Sequence, residues 1–84
     1  MTIKAFLFTS PSCGPCKVMK PLIVEAAAEA GVPLEIVESD NTEMFAYWRV
    51  TSVPTLLLVA PLDHELKRLV GTKTKKDIED FFKK

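Results

Sequence analysis

The chain is predicted to be an α/β protein, with a four-stranded mixed sheet and helices in the order β-α-β-α-β-β-α. Three observations carry that prediction. The runs Ala5-Phe6-Leu7-Phe8 and Leu56-Leu57-Leu58-Val59-Ala60 are wholly apolar, as in strands buried on both faces. Between them lie stretches whose apolar residues recur at spacings of three and four, the pattern of an amphipathic helix. The last two strand-like runs are separated only by turn-forming residues, as in a hairpin.

Each element has its own warrant. The first strand is placed at Thr2 to Phe8, and Ser10-Pro11-Ser12 is a turn. The first helix runs from Gly14 to Ala30, with Met19, Leu22, Ile23, Ala26, Ala27 and Ala30 as its apolar stripe. Pro15 suits its first turn, where a missing N–H costs nothing, whereas Pro21 in the interior predicts a kink. Gly31 suits the C-terminal cap, with Pro33 beyond it. Leu34 to Glu38 is the second strand. Asp40 as cap, with Glu43 three positions on, starts a short second helix carrying Met44, Phe45 and Trp48. Thr55 to Ala60 is the third strand, Pro61-Leu62-Asp63-His64 the hairpin connection and Glu65 to Val70 the fourth strand. Leu66 and Leu69 fall out of strict alternation there. After a break at Gly71, Thr74 to Lys83 forms the third helix, with Thr74 and Asp77 as a capping box and Ile78, Phe81 and Phe82 as its apolar face. Right-handed crossovers predict that the first three strands are parallel and the fourth antiparallel.

The 84 residues make one domain, residues 1–84. Eleven basic residues offset eleven acidic ones, which gives no reason to invoke nucleic acid or an anionic membrane. The C-terminal lysines are interspersed with Asp77, Glu79 and Asp80, as on a solvated helix face. No apolar run approaches the roughly 20 residues of a membrane span, and the N-terminus falls short of a secretory leader. The expected location is the cytoplasm.

The chemistry is expected at Cys13 and Cys16, the only two cysteines. They sit where the first strand hands over to a helix N-terminus. Such an end presents unpaired N–H groups and the positive end of the helix dipole, and both stabilise the thiolate that attacks disulfides. Cys13 is therefore expected to be the nucleophile and Cys16, one turn further on the same face, the resolving thiol. Gly14 permits the turn between them and Pro15 stiffens it. A purely structural disulfide closing so short a loop would contribute only about 2 kcal/mol. A zinc site needs about four ligands, and this chain has no second cysteine pair and one distant histidine; no metal is expected. His64 is read as a solvent-exposed hairpin residue and Trp48 as core packing.

Cys13-Gly14-Pro15-Cys16-Lys17 resembles the active-site signature of the thioredoxin family, and Ser52-Val53-Pro54-Thr55 resembles that family's cis-proline turn. Pro21 and Val70-Gly71 are weaker echoes. The element order resembles a thioredoxin fold lacking its first strand and helix. Only about 5–6% of X–Pro bonds in folded proteins are cis, so composition alone predicts trans at Pro54 and the resemblance reverses that expectation. The resemblance also implies that the backbone of Val53, with Pro54 and Gly71, binds an extended substrate segment by strand addition. It implies a monomeric protein-disulfide reductase that binds no cofactor itself and is recycled by an NADPH-dependent thioredoxin reductase. Two departures stand out: Ser12 replaces the family's tryptophan before the first cysteine, and Leu7 replaces a buried aspartate. Ser10-Pro11-Ser12 more closely resembles glutaredoxin-like proteins and short phage or archaeal thioredoxins, so a glutathione-dependent reductase is the alternative. A thioredoxin-fold interaction module is a third reading.

Overall fold

The computed structural model describes residues 3–83. Its elements are β1 (Lys4–Thr9), α1 (Gly14–Ala30), β2 (Leu34–Glu38), α2 (Thr42–Tyr47), β3 (Thr55–Ala60), β4 (His64–Val70) and α3 (Lys75–Phe82). The expected start of the first strand at Thr2 lies outside the described residues, and β1 runs one residue further than expected, to a buried Thr9. The strands form one sheet in the order β2-β1-β3-β4.

The sheet is mixed, but β3 corrects the expectation of three parallel strands. β1 and β2 are parallel, whereas β3 is antiparallel to β1 and β4 antiparallel to β3. The lengths of the connections explain the difference. A six-residue strand spans about 20 Å, and the 17 residues of α1 return about 25 Å, enough to bring the chain back to the starting edge. The six residues of α2 span only about 9 Å. Residues 48–54 then carry the chain across β1 rather than back along it, since Val37, Phe8 and Thr55 lie in one row, so β3 starts at the end of the sheet where β2 stopped and runs the other way.

Alternation along β1 and β3 builds two cores. Ala5, Leu7, Leu56 and Leu58 face Met19, Ile23 and Ala26 of α1 and Ile78 and Phe81 of α3. Phe6, Phe8, Leu57 and Val59 face the other way, against Val37, Trp48 and Val50. Leu7, Phe8, Ile23, Leu57 and Ile78 are fully buried, each contributing roughly 1.5–3 kcal/mol. Pro21 removes a backbone bond, yet α1 continues unbroken through it, held on the sheet by Met19, Ile23, Ala26 and Ala27. The helix ends at Gly31, whose φ of 71° is the left-handed conformation expected of a capping glycine.

The helix starts follow local chemistry. Thr74 and Asp77 form the reciprocal capping box expected for α3. The cap of α2 is Asn41 rather than Asp40: its side chain accepts from the Met44 N–H at 3.2 Å, so α2 begins at Thr42. The irregular pattern of β4 is a bulge. Val59 pairs with Glu65 and Leu58 with Lys67, which leaves Leu66 as an extra residue on β4.

Candidate active site

A row of paired residues crosses all four strands near one end of the sheet: Val37, Phe8, Thr55 and Val70. The segments just beyond this row are therefore neighbours. They include the turn after Thr9 that leads to Cys13, the Val53–Pro54 turn that enters β3, and Gly71 after β4. The Gly71 N–H donates to the Pro54 carbonyl at 2.9 Å, joining two of the expected substrate-binding residues directly. The Val53–Pro54 peptide is cis. Gly71 has φ 87°, a conformation that favours glycine.

Cys13 is the N-cap of α1 and is half-buried, while Cys16 lies one turn in and is only 2% exposed. The two are joined as a disulfide with their Cα atoms 5.3 Å apart. The Cys16 N–H points at Cys13 Sγ, 3.2 Å away, so a free helix-end amide faces the outer sulfur. The first turn of α1 holds no acidic side chain to oppose negative charge there. Before it, the Cys13 N–H donates to the Ser10 carbonyl at 3.1 Å, and the Ser10 and Ser12 hydroxyls lie 3.2 Å apart. Pro15 lies in the first turn. Gly14 is the first residue of the helix and is not held at positive φ; a Cβ added there meets nothing within 4 Å. The expected need for glycine at this position is therefore absent from the backbone geometry.

A cleft of about 360 Å³ opens beside the disulfide on the β2 side. Cys16, Lys17 and Lys20 line it from α1, and Glu38, Ser39 and Asp40 from the end of β2. Leu7 is fully buried in the same apolar cluster as Met19 and Ile23, so no carboxylate stands in the strand beneath the dithiol. His64 is exposed at the start of β4 and Trp48 is buried, both as expected. Among the described residues no group of histidine, cysteine or acidic side chains could hold a metal ion, and no helix among them is long and apolar enough to cross a membrane.

Two side-chain roles at this end of the molecule are not among those expected from the sequence. Thr55 is 2% exposed, and its hydroxyl donates to the Ser52 carbonyl at 2.7 Å, bracing the loop from inside. A polar residue opening an apolar strand directly after Pro54 was the available signal. Arg68 donates to the Trp48 and Arg49 carbonyls at 2.7 and 3.3 Å. No local pattern marks it, because its partners lie 19 and 20 residues away.

A mixed sheet that presents a disulfide at a strand-to-helix turn, beside a proline loop, is the architecture of a thiol–disulfide oxidoreductase. Comparison with known proteins agrees. The family model described as Thioredoxin matches residues 4–84. A thioredoxin of Bacillus subtilis is 37% identical over 81 residues, covering 92% of this chain and 76% of the relative. A thioredoxin of Mycobacterium tuberculosis is 37% identical over 71 residues, covering 81% of this chain, which spans only 60% of that relative's length. Among solved structures, Trxlp from Edwardsiella tarda superposes with a TM-score of 0.88 at 20% identity, over 99% of this chain and 84% of that one. A mutant thioredoxin from Halobacterium salinarum gives 0.86 at 23% identity, over 95% and 71%. At such identities these two likenesses speak for the fold. The chain belongs to the thioredoxin family.

Proposed function

We propose that this chain is a short protein-disulfide reductase of the thioredoxin type, with Cys13 as attacking thiol and Cys16 as resolving thiol. The observation that carries the reading is the placement of Cys13 at the N-cap of α1, half-exposed and facing the Cys16 amide, with Cys16 buried behind it. In the reduced form the Cys13 thiolate, favoured by the helix end, attacks one sulfur of a substrate disulfide. A mixed disulfide forms and the first substrate thiolate leaves. Cys16 then loses its proton to solvent and attacks the Cys13 sulfur. The internal disulfide forms, the second substrate thiolate departs, and two electrons have passed to the substrate. Val53, Pro54 and Gly71 bind the extended segment around the substrate disulfide through backbone pairing.

Recycling requires a two-electron reductant. We assign it to an NADPH-dependent thioredoxin reductase, in a reducing compartment such as the cytoplasm, with this chain acting as a monomer. A relative 37% identical over 71 residues is a bifunctional thioredoxin reductase/thioredoxin of Mycobacterium leprae, in which both activities share a chain; that kinship supports the assignment. Lys17 and Lys20 in the cleft beside Cys16 favour glutathione, an anionic tripeptide, as the second candidate, although Glu38 and Asp40 share that cleft.

The test is NADPH consumption with an insulin-type disulfide substrate, run once with thioredoxin reductase and once with glutathione plus glutathione reductase. Turnover in the first arm is expected. Turnover confined to the second would transfer the protein to glutathione, and none in either would leave an interaction module as the better reading.

A further inference from the structure

We propose that Arg68 is the positioning residue that holds the Val53–Pro54 loop ready for protein substrates, an inference that rests on that loop being the substrate-binding segment. The loop ends a connector, residues 48–54, that leaves α2 and enters β3. Its far end is fastened by the Thr55 hydroxyl on the Ser52 carbonyl and the Gly71 N–H on the Pro54 carbonyl. Its near end is fastened by Arg68. Nη2 donates to the Trp48 carbonyl at 2.7 Å and Nη1 to the Arg49 carbonyl at 3.3 Å. These carbonyls follow the last turn of α2, where helix acceptors lack partners and a cation is well placed. Arg49 itself is at φ 56°, in the left-handed region that residues with a side chain uncommonly adopt.

The guanidinium is aimed by Glu65. Its Nε and Nη2 donate to the two carboxylate oxygens at 2.8 and 2.9 Å, a two-point pairing that fixes its plane. In a regular strand residues three apart point to opposite faces. The extra residue Leu66 changes the phase, so Glu65 and Arg68 lie on one face, the same face as their pairing partners Val59 and Leu57, which is the side that α2 covers. The bulge thus aims Arg68 at the end of α2. A lysine cannot reproduce this, because it lacks the planar fork that serves a carboxylate and two carbonyls together.

The consequence is selective. Arg68 donates to Glu65 and to the start of the connector, and to neither cysteine. Loosening the connector removes preorganisation from a site that must pair with a substrate strand, which weakens protein binding. Attack by Cys13 on a small disulfide uses no such pairing and keeps its rate.

Prereduced protein is mixed in single turnover with an insulin-type disulfide and, separately, with 5,5′-dithiobis(2-nitrobenzoate), for wild type, Arg68→Met, Arg68→Lys and Glu65→Gln. Arg68→Met is expected to raise the half-saturating concentration of the protein substrate about three- to tenfold, with its limiting rate and the small-disulfide rate within about twofold. Arg68→Lys should recover only part of the loss. Glu65→Gln retains the arginine but weakens the pairing that aims it, and serves if Arg68→Met does not fold; it should shift protein-substrate saturation in the same direction. Amide exchange gives a readout independent of substrate: the N–H groups of Arg49 and Val50, which donate to the Ala46 and Phe45 carbonyls at 3.1 and 2.8 Å, should exchange faster in Glu65→Gln while those of α1 do not. Unchanged saturation together with unchanged connector exchange overturns the proposal, as does an equal loss on both substrates in a variant that melts like wild type. A wild type that reduces the small disulfide but never the protein one fails the substrate reading instead, and connector exchange still decides the role of Arg68.

Discussion

The two sulfurs are chemically the same and differ only in position. Cys13 caps the helix and is half-exposed, whereas Cys16 is 2% exposed against the sheet. Attack on an incoming disulfide needs access as well as charge, so these positions assign the order of events. In the reduced protein iodoacetamide should label Cys13 well before Cys16, read by mass spectrometry of peptides. Cys16→Ser should accumulate a covalent adduct with a disulfide substrate through Cys13, and Cys13→Ser should abolish reduction. An adduct captured through Cys16 in the Cys13→Ser variant would reverse the roles.

At the level of elements, a side-chain bond ties α2 to the turn of the β3–β4 hairpin. The Tyr47 hydroxyl donates to Asp63 Oδ2 at 2.7 Å, across the turn that places Leu62 and Asp63 at positive φ. The bond to the carboxylate, and then its charge, hold the Tyr47 hydroxyl above its ordinary value of 10.0. The neutral form is the one favoured by folding. The bond therefore contributes below the unfolded tyrosine pKa and is lost as pH rises through the folded value. Tyr47 is the single tyrosine, so an absorbance titration reports it alone. Its midpoint should fall in Asp63→Asn, and an unchanged midpoint would remove the tether. Such links mark the limit of what the chain shows before folding. Apolar runs, prolines and capping residues revealed the element order and the start of α1, because each acts within a few residues. The dithiol was legible for the same reason. The direction of β3 was not, because it depends on how far α2 reaches in space. Nor was the face of Arg68, because it depends on a bulge at Leu66 that only pairing with β3 reveals.

The molecule as a whole is asymmetric about its sheet. One face lies under the 17 residues of α1 and the eight of α3. The other is covered by the six-residue α2, none of whose residues is buried, and by Trp48 just beyond it. Trp48 is 7% exposed and lies 5.8 Å from the Phe6 ring centre, while the Tyr47 ring meets it edge-on at 5.1 Å. Its carbonyl accepts from Arg68, so the same residue both closes the core and starts the connector to the substrate loop. A domain of this size has a total stability of roughly 4–13 kcal/mol. Removing a buried aromatic ring costs about 3–5 kcal/mol, since the space it leaves cannot be refilled by a single short helix. Trp48→Ala should therefore lower the melting temperature by roughly 12 °C or more. Trp48→Phe, which keeps an aromatic ring in the site, should cost much less. Leu62→Ser, at a hairpin position 99% exposed, is expected to change stability by under about 0.5 kcal/mol. Calorimetry on the three variants separates the possibilities: a Trp48→Ala protein that melts with wild type would show that the α2 face contributes little, and that the α1 and α3 face alone holds the sheet together.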